Sequence, residues 1–383
     1  MTERLFEKNP YIQTFEATVT SCEEKKGVYH ICLDRSAFFP EGGGQPGDQG
    51  WLDDIEVYDT HEKDGQIWHY TKQPIEAGRS VIGKLRWDLR LSNMQNHAGE
   101  HIVSGLIHKK YGYDNVGFHM GSEAITLDIN GELSYEQVME IEKQANLAIE
   151  ANIPISISIP EKQVLDAMEY RSKKAIDGDV RIVEIPGYDQ CACCGTHPMR
   201  TGEIRLIKIL SVQNYKGGVR ISMLAGNRAL VDYHQKHESV VAISRLLSAK
   251  TDEVADAVER VQKEMADLKF SMIQIKREWM ALKAQQMEVS SSAVCVLENS
   301  LQGNDLREFA NLLSNRAERV LVMAETAEGQ MRYVLYDKKE QARAFSQEIQ
   351  KKFNGKGGGS PQMVQGTLSG NWLEIKEWFE NHE

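Results

Sequence analysis

The sequence lacks the marks of a membrane-bound or exported protein. None of its 383 residues belongs to an apolar run of about eighteen or more, so we expect no segment to span a membrane. The N-terminal stretch MTERLFEKNPYIQTFEA has no apolar core of the kind that a secretory signal needs. We therefore predict a cytoplasmic protein without membrane contact.

Cysteine is scarce, and basic residues do not dominate. Of the six cysteines, Cys191, Cys193 and Cys194 crowd together, which does not resemble the disulfide framework of a secreted chain. They are better interpreted as reduced thiols, some of them on a metal.

The net charge of −11 argues against indiscriminate nucleic-acid binding. A partner with phosphates would have to meet a local basic patch.

The order of strand and helix patterns predicts an α+β fold. Length favours two or three domains, and 41% hydrophobic residues are enough for a sizeable core. The pattern divides the chain into a β-rich, barrel-like domain, an α+β metal-binding domain, a long coiled-coil helix and a small α/β domain. Their predicted bounds are 1–90, 91–235, 236–289 and 290–383.

The third segment carries the most regular pattern. Apolar residues alternate in steps of four and three, and no Pro or Gly interrupts the chain between 240 and 288. A continuous helix there would be about 70 Å long. Because a long seam needs a partner to bury it, we predict a homodimer; packing on the chain's own domain is the alternative. The seam consists of Val254, Val258, Val261, Met265, Leu268, Met272, Ile275, Trp279 and Leu282.

Two half-sites for a metal ion stand out. His97 and His101 lie four residues apart in a predicted helix, so both imidazoles project from one face. Cys193 and His197 are separated by three residues, with Gly195 allowing a tight turn. Together they supply four nitrogen and sulfur ligands, which suits one tetrahedral zinc ion per chain. A zinc ion that only stabilises the fold is the alternative.

Glu100 invites comparison with zinc proteases, but the match is poor. Their motif places glutamate directly after the first histidine, whereas Glu100 directly precedes His101. Peptide hydrolysis is therefore disfavoured. We expect Glu100 to face solvent, with a role as general base as the alternative.

The loop Gly42-Gly43-Gly44-Gln45 gives backbone amides close access to a ligand. A flexible hairpin is the alternative for such a triple glycine. The loop lacks the lysine and the following Ser or Thr of a phosphate-binding P-loop, so we expect no ATP site.

Three ordered motifs of the sequence are FFPEGGGQPGDQG, NHAGEH and CCGTHPMRTGEI, and the segments YRSKK and VRIV precede the last of them. Together they resemble the editing domain of alanyl-tRNA synthetase, and most closely the freestanding alanyl-tRNA editing proteins of the long AlaX type. The tail GKGGGSPQMVQG resembles the glycine-rich motif of the DHHA1 domain, so the resemblance covers nearly the whole chain. The family usually has glycine at Cys194. Cys191 or Cys194 could therefore compete with Cys193 for the metal, although the Cys-x-x-x-His spacing favours Cys193.

The resemblance implies a zinc-dependent hydrolase that deacylates mischarged alanine tRNA, chiefly its seryl ester, with the glycyl ester as a further candidate. Its alternatives are editing of another tRNA, such as a threonine-tRNA ester, and a tRNA-binding zinc module without catalysis. The metal would either activate water or orient the substrate. Domains for charging tRNA have no counterpart here.

The resemblance also implies roles for particular residues. The zinc ligands would be His97, His101, Cys193 and His197. The residues bordering the aminoacyl pocket would be Gly42, Gly43, Gly44 and Gln45. Phosphate contacts near the acceptor end, with a solvated charge cluster as the alternative, are predicted for Arg171, Lys173, Lys174 and Arg181. Catalytic candidates are Gln45, Thr196 and Glu100; Gln45 and Thr196 are also expected to recognise the serine hydroxyl, or else only to stabilise their loops.

The last segment carries a local basic stripe that suits contact with an RNA backbone. A solvated helix face is the alternative. The stripe consists of Lys338, Lys339, Arg343, Lys351, Lys352 and Lys356.

Overall fold

The computed structural model is an α+β protein, as predicted, with helices and several separate sheets. It describes residues 1–172, 179–289, 292–326 and 328–382. Two compact units are formed by Met1–Ala242 and Ile243–Glu383. None of the described helices is long and apolar enough to cross a membrane. The finer division into four segments remains a prediction.

The first unit begins with a six-stranded closed barrel in the order β2-β3-β7-β6-β5-β8. Alternating burial along its first long strand places Phe15, Ala17 and Val19 inside the barrel. The elements of this region are β1 (Glu3–Arg4), α1 (Leu5–Lys8), β2 (Thr14–Lys25), β3 (Val28–Leu33), β4 (Arg35–Ser36), β5 (Gly50–Leu52), β6 (Ile55–Lys63), β7 (Gln66–Thr71) and β8 (Ser80–Leu85). The short strands β1 and β4 pair in parallel outside the barrel.

A long buried helix and two antiparallel sheets follow the barrel. The elements are α2 (Trp87–Tyr111), β9 (Asn115–Met120), β10 (Ile125–Ile129), α3 (Tyr135–Glu150), β11 (Ser156–Ser158), α4 (Lys162–Asp166), β12 (Ile182–Ile185), β13 (Asp189–Ala192), a 3-10 helix (Thr201–Ile204), β14 (Ile207–Tyr215) and β15 (Gly218–Ala225). The sheet orders are β14-β15-β10-β9 and β11-β12-β13.

Helix α2 is buried along most of its length because two glycines allow close packing. A Cβ at Gly99 would lie 2.8 Å from the Cβ of Ala225, and one at Gly105 would lie 2.3 Å from the carbonyl oxygen of Tyr188. A larger residue at Gly99 would push α2 away from the end of β15, and one at Gly105 would push it away from the segment that leads into β13. The second half-site follows β13, so Gly105 lets α2 lie close to the chain that supplies it.

The long helix predicted between 240 and 288 is not continuous. Helix α5 (Asn227–Leu247) ends before a 3-10 turn (Thr251–Glu253), and α6 (Val254–Gln286) follows. Ser248 has a φ of 50°, a left-handed conformation that stops the helix. The hydroxyl of Ser244 also donates to the carbonyl oxygen of Ala249, giving the backbone a partner outside the helical ladder. The predicted seam therefore lies on α6 alone.

The second unit ends in a five-stranded sheet in the order β16-β17-β18-β20-β19, with helices on both faces. Its elements are β16 (Ala293–Leu297), α7 (Asn304–Leu313), β17 (Arg319–Glu325), β18 (Met331–Asp337), α8 (Ala342–Lys352), β19 (Lys356–Gly359), β20 (Met363–Leu368) and α9 (Trp372–Asn381). The glycine-rich tail forms the exposed edge strand β19.

Candidate metal centre and its cavity

The structure brings the four predicted ligands together. His97 and His101 lie on α2, and Cys193 and His197 lie on the loop after β13, with all four ligand atoms within 4.8 Å of one another. The sulfur of Cys193 is 3.4 Å from Nε2 of His97 and 3.4 Å from Nε2 of His197. Bond lengths around tetrahedral zinc place neighbouring ligands about 3.3–3.8 Å apart. The residues present therefore fit a four-coordinate metal ion.

Gly195 makes this convergence possible. A Cβ at this position would lie 2.2 Å from Cε1 of His97 and 3.0 Å from Oε1 of Gln45. Only glycine lets the turn between Cys193 and His197 approach the imidazole this closely.

Gln45 contacts Nδ1 of His97, the ring nitrogen that does not face Cys193, and Thr196 holds Gln45 in place. Oε1 of Gln45 lies 2.9 Å from Nδ1 of His97 and accepts a hydrogen bond from the backbone amide of Thr196. Because that oxygen can only accept, Nδ1 of His97 donates and Nε2 is left free for a metal. Nε2 of Gln45 donates to the Thr196 hydroxyl at 2.8 Å. Both residues are buried, and neither lines the cavity described below, so the geometry supports positioning of His97 over contact with a serine hydroxyl.

Asp189 orients the second histidine. Its Oδ2 lies 2.7 Å from Nδ1 of His101, and its two oxygens accept hydrogen bonds from Arg171 at 2.7 and 2.9 Å. Burial raises the pKa of Asp189, but its bonds to His101 and Arg171 outweigh burial and hold that pKa below its usual value. Arg171, which the sequence assigns to phosphate contact, thus has guanidinium nitrogens engaged with a buried carboxylate.

The charges around the cluster decide which protonation states Cys193, His197 and His101 adopt, and those of Cys193 and His197 are the states that bind a metal. Burial raises the pKa of the Cys193 thiol, but the neighbouring His97, His197 and His101 outweigh burial and bring that pKa well below its usual value. Burial and the nearby His97 lower the pKa of His197 to about 3, so its imidazole stays neutral. Burial also opposes a charge on His101, but hydrogen bonds to Asp189 and Cys193 raise its pKa well above the usual value. A metal would therefore displace a proton from His101 on binding.

The two rival cysteines do not complete the four-residue cluster. Cys191 lies in a separate group with His101 and Asp189, and burial raises the pKa of its thiol to about 11. A protonated thiol is a poor ligand. Cys194 is exposed, with its sulfur 3.1 Å from where a Cβ on Gly43 would lie. The geometry supports Cys193 as the sulfur ligand.

A cavity of about 580 Å³ opens beside the cluster. Three of the predicted ligands line it, namely His97, His101 and Cys193. Its other walls include Gly43, Gly44, Glu100, Phe118, Arg181 and Cys194. The cavity therefore joins the glycine loop and the metal cluster, two features that lie more than fifty positions apart in sequence.

Glu100 is buried at 1% exposure, so the prediction that it faces solvent is wrong. Helix α2 is buried from Asn93 to Ile107, so the carboxylate needs hydrogen-bond donors from the protein. The hydroxyl of Ser104 donates to Oε1 of Glu100 at 2.7 Å, and the amide of Asn115 donates to the same oxygen. Of the three catalytic candidates, Glu100 is the one that lines the cavity.

Of the other predicted phosphate contacts, only Arg181 reaches the cavity among the described residues. It donates to the carbonyl oxygen of Cys193 at 2.6 Å, and burial lowers the pKa of its guanidinium. Lys173 and Lys174 lie outside the described residues.

A buried ion pair, which the sequence analysis missed, anchors the glycine-rich loop to α2. Nε of Arg90 donates to Oδ2 of Asp48 at 2.7 Å, and both side chains are 1% exposed. Arg90 also donates to the carbonyl oxygens of Pro10 and Ala37. Asp48 stands in the glycine-rich motif, which was a usable signal, whereas nothing in the local sequence marks Arg90 as buried.

Phe118 was also missed. Its ring stacks on His97 with centroids 5.3 Å apart and planes at 25°. A Cβ on Gly44 would lie 2.5 Å from the Phe118 ring, and Gly44 has a φ of 86°. The glycine therefore allows the loop to close over the aromatic ring that faces the metal cluster.

Replacing Gln45 by Ala is expected to weaken zinc binding by about 10–100-fold, because His97 loses the partner that fixes its ring. The measurement is competition for added zinc with a chelator. Gln213→Ala, an exposed glutamine on β14, is the matched control. Unchanged zinc affinity in the Gln45→Ala protein would show that Gln45 does not position His97.

Comparison with known proteins covers both the site and the whole chain. The model of the second additional domain of threonyl and alanyl tRNA synthetases matches residues 180–222, which include Cys193 and His197. The alanyl-tRNA editing protein AlaX-L of Pyrococcus horikoshii is 29% identical over 98% of this chain and 96% of its own length. The alanyl-tRNA editing protein Aarsd1 of Mus musculus is 27% identical over 95% of this chain and 94% of its own. The alanine–tRNA ligase of Methanococcus maripaludis is 29% identical over 98% of this chain and 43% of its own. The resemblance carried by the motifs thus extends along nearly the entire chain, which is similar in sequence to the alanyl-tRNA editing proteins AlaX-L and Aarsd1.

Proposed function

We propose that this protein is a trans-editing hydrolase that deacylates mischarged alanine tRNA, chiefly its seryl ester and also its glycyl ester. The observation that carries the proposal is the convergence of His97, His101, Cys193 and His197 at a cavity that also holds Glu100. The relatives of matching length are named alanyl-tRNA editing proteins, which supports the same substrate. Such a function belongs with the tRNA pool of the cytoplasm. A panel of charged tRNAs tests it.

Zinc is the metal that the donor set favours. One thiolate and three imidazoles in tetrahedral reach are typical zinc ligands. When bound, zinc would fix the imidazoles of the cavity wall in place and add positive charge near the ester end of the substrate. Four protein ligands fill a tetrahedral shell, which favours the orienting role over the activation of water.

The chain's own groups would then promote ester cleavage. Gly43 and Gly44 have φ values of 61° and 86°, left-handed conformations that glycine adopts without a steric penalty, so the loop can bring their backbone amides close to a ligand. These amides at the cavity would donate to the carbonyl oxygen as it gains negative charge. Esters are labile enough for positioning and oxyanion stabilisation to supply much of the rate.

Glu100 is the carboxylate best placed to act on the substrate. It lies on α2 between His97 and His101 and lines the cavity. In this position it would accept a proton from the attacking water or pair with the ammonium group of the aminoacyl ester. Arg181, which also lines the cavity, would contact the terminal phosphate.

A threonine-tRNA ester is the second candidate substrate, because the matching domain model covers threonyl as well as alanyl tRNA synthetases. The panel of charged tRNAs distinguishes cleavage of a threonine-tRNA ester from cleavage of the alanine-tRNA esters. A zinc-loaded protein that binds tRNA but cleaves none of the panel would be a binding module instead.

We also propose that the second unit contacts the tRNA backbone. Lys351, Lys352 and Lys356 are exposed, and Lys356 borders a shallow pocket with Arg332 and the flat glycine strand. Lys356→Glu is expected to weaken tRNA binding by about tenfold, as measured by filter binding, whereas Lys72→Glu on the barrel should not. Equal affinities of the two variants would mean that Lys356 is only a solvated side chain.

A homodimer through α6 is proposed as well. The seam is open in the single chain, with Leu268 71% exposed and Met272 61% exposed. Sedimentation is expected to give twice the chain mass of 43.4 kDa. Leu268→Glu should favour the monomer, whereas Ala266→Glu, which adds the same charge beside the seam, should not. A wild-type monomer at all concentrations would contradict the proposal.

A further inference from the structure

A second cavity of the first unit has no role in the function proposed so far. Its volume is about 1030 Å³, enough for a ligand of nucleotide size. It lies against the first turns of α2, the chain after the glycine loop, the turn between β9 and β10, and the start of α5. Among the described residues it shares no lining residue with the metal cavity. Both cavities nevertheless border the same loop, helix and strand.

An unpaired buried amide lies in the wall of this second cavity. Asn93 is 4% exposed, and its Nδ2 has no hydrogen-bond partner among the described residues. An unsatisfied buried donor is costly and calls for an acceptor. Asn93 precedes His97 by one turn of α2, about 6 Å along the helix axis. The missing acceptor would therefore sit close to the metal cavity.

Arg228 supplies a cation that no described carboxylate neutralises. Its guanidinium donates to the carbonyl oxygens of Gly121 and Ser122 and forms no ion pair with a described residue. The other cation of the cavity, Arg86, is paired with Glu56 at 3.0 Å. An anionic ligand would thus find one available guanidinium.

The other residues that line the cavity restrict which kind of ligand it can bind. Asp88, Glu123 and Asp232 also border the cavity, which disfavours a ligand with several negative charges; Asp232 is paired with Lys236. Apolar side chains offer a surface for a flat ring, namely Leu89, Met120, Leu224 and Val231. A ligand that fits this cavity would carry one phosphate, one flat ring and an acceptor for the Asn93 amide. A single nucleotide has all three. The Watson–Crick edge of cytosine presents such acceptors at O2 and N3.

We propose that this cavity binds the cytidine that precedes the terminal adenosine in the single-stranded 3′ end of tRNA. The proposal rests on the proposed function, because it assumes that the terminal adenosine occupies the metal cavity. The cytosine edge would accept from Nδ2 of Asn93, and its phosphate would lie against Arg228. This contact would hold the 3′ end of the tRNA in place before the ester reaches the metal centre.

The test measures binding of the trinucleotide CCA and of adenosine alone to the zinc-loaded full chain by calorimetry. CCA is expected to bind at least about tenfold more tightly than adenosine. Asn93→Ala and Arg228→Gln should each lower the affinity for CCA by about tenfold while leaving adenosine binding and zinc content unchanged. Lys208→Gln, which removes an exposed charge outside both cavities, should leave both affinities unchanged.

Each other outcome has a definite meaning. CCA that binds no better than adenosine would overturn the proposal, as would CCA binding that Asn93→Ala and Arg228→Gln leave unchanged. If Asn93→Ala fails to fold, Val231→Asp tests the same cavity, because Val231 is 56% exposed and an added carboxylate there should repel the phosphate. Hydrolysis of seryl-tRNA by the wild type, assayed in parallel, keeps a failure of the proposed function separate.

Discussion

Replacing His101 by Ala is expected to remove bound zinc and to slow cleavage of seryl-tRNA of the alanine type by roughly 10³-fold. His101 supplies one of four ligand atoms that lie within 4.8 Å of one another, and Asp189 and Arg171 hold its ring in place. Its loss would leave an incomplete shell and a Cys193 thiolate with one stabilising neighbour fewer. Elemental analysis of protein purified without added metal measures the first effect, and single-turnover deacylation measures the second.

His108→Ala is the matched control for this change. His108 lies on the same helix but is exposed and contacts Asp114 at 2.9 Å, away from the cluster. Its variant should retain zinc and activity. Full zinc occupancy in a protein lacking all four side chains of His97, His101, Cys193 and His197 would show that the metal binds elsewhere.

Replacing Glu100 by Gln is expected to lower the rate of ester cleavage by about 10²–10⁴-fold with zinc content unchanged. Glutamine keeps the volume and the oxygen that Ser104 and Asn115 contact, while it removes the negative charge and replaces the second oxygen by an amide group that cannot take up a proton at neutral pH. The pH dependence of single-turnover cleavage is measured for both proteins. Glu140→Gln, an exposed glutamate on α3 paired with Lys110, should behave as the wild type.

A Glu100→Gln protein with wild-type activity would restrict Glu100 to a structural role in α2. Loss of zinc from the Glu100→Gln protein would also indicate a structural role for Glu100. A residue that only accepts a proton from water can be replaced without loss of the metal.

Sequence spacing was enough to predict the four residues that the structure brings together, because the relevant constraints are local. Positions four apart in a helix share a face, and a glycine between Cys193 and His197 permits a tight turn. The alternation that predicts strands at Val28–Leu33 and around Trp68 is likewise a local property, and both strands exist.

The contacts that orient the ligands were not predictable in the same way. Gln45 meets His97 across 52 positions and Asp189 meets His101 across 88, so neither contact leaves a periodic trace. Glu100 was misplaced for a related reason. The apolar positions of α2 mark one face, but the polar face is buried too, where partners such as Asn115 satisfy it.

The most direct test of the central claim compares two esters on the same tRNA. Zinc-loaded wild-type protein is mixed with alanine tRNA charged with serine or with alanine, and the rate of deacylation is measured for each. Serine exceeds alanine by a hydroxyl, and a site that bonds this hydroxyl leaves buried groups unpaired when alanine enters, which costs about 1–3 kcal/mol for each group. The seryl ester is expected to be cleaved at least about tenfold faster than the alanyl ester. Seryl-tRNA that remains as stable with the zinc-loaded protein as it is in buffer would show that this protein does not edit mischarged alanine tRNA.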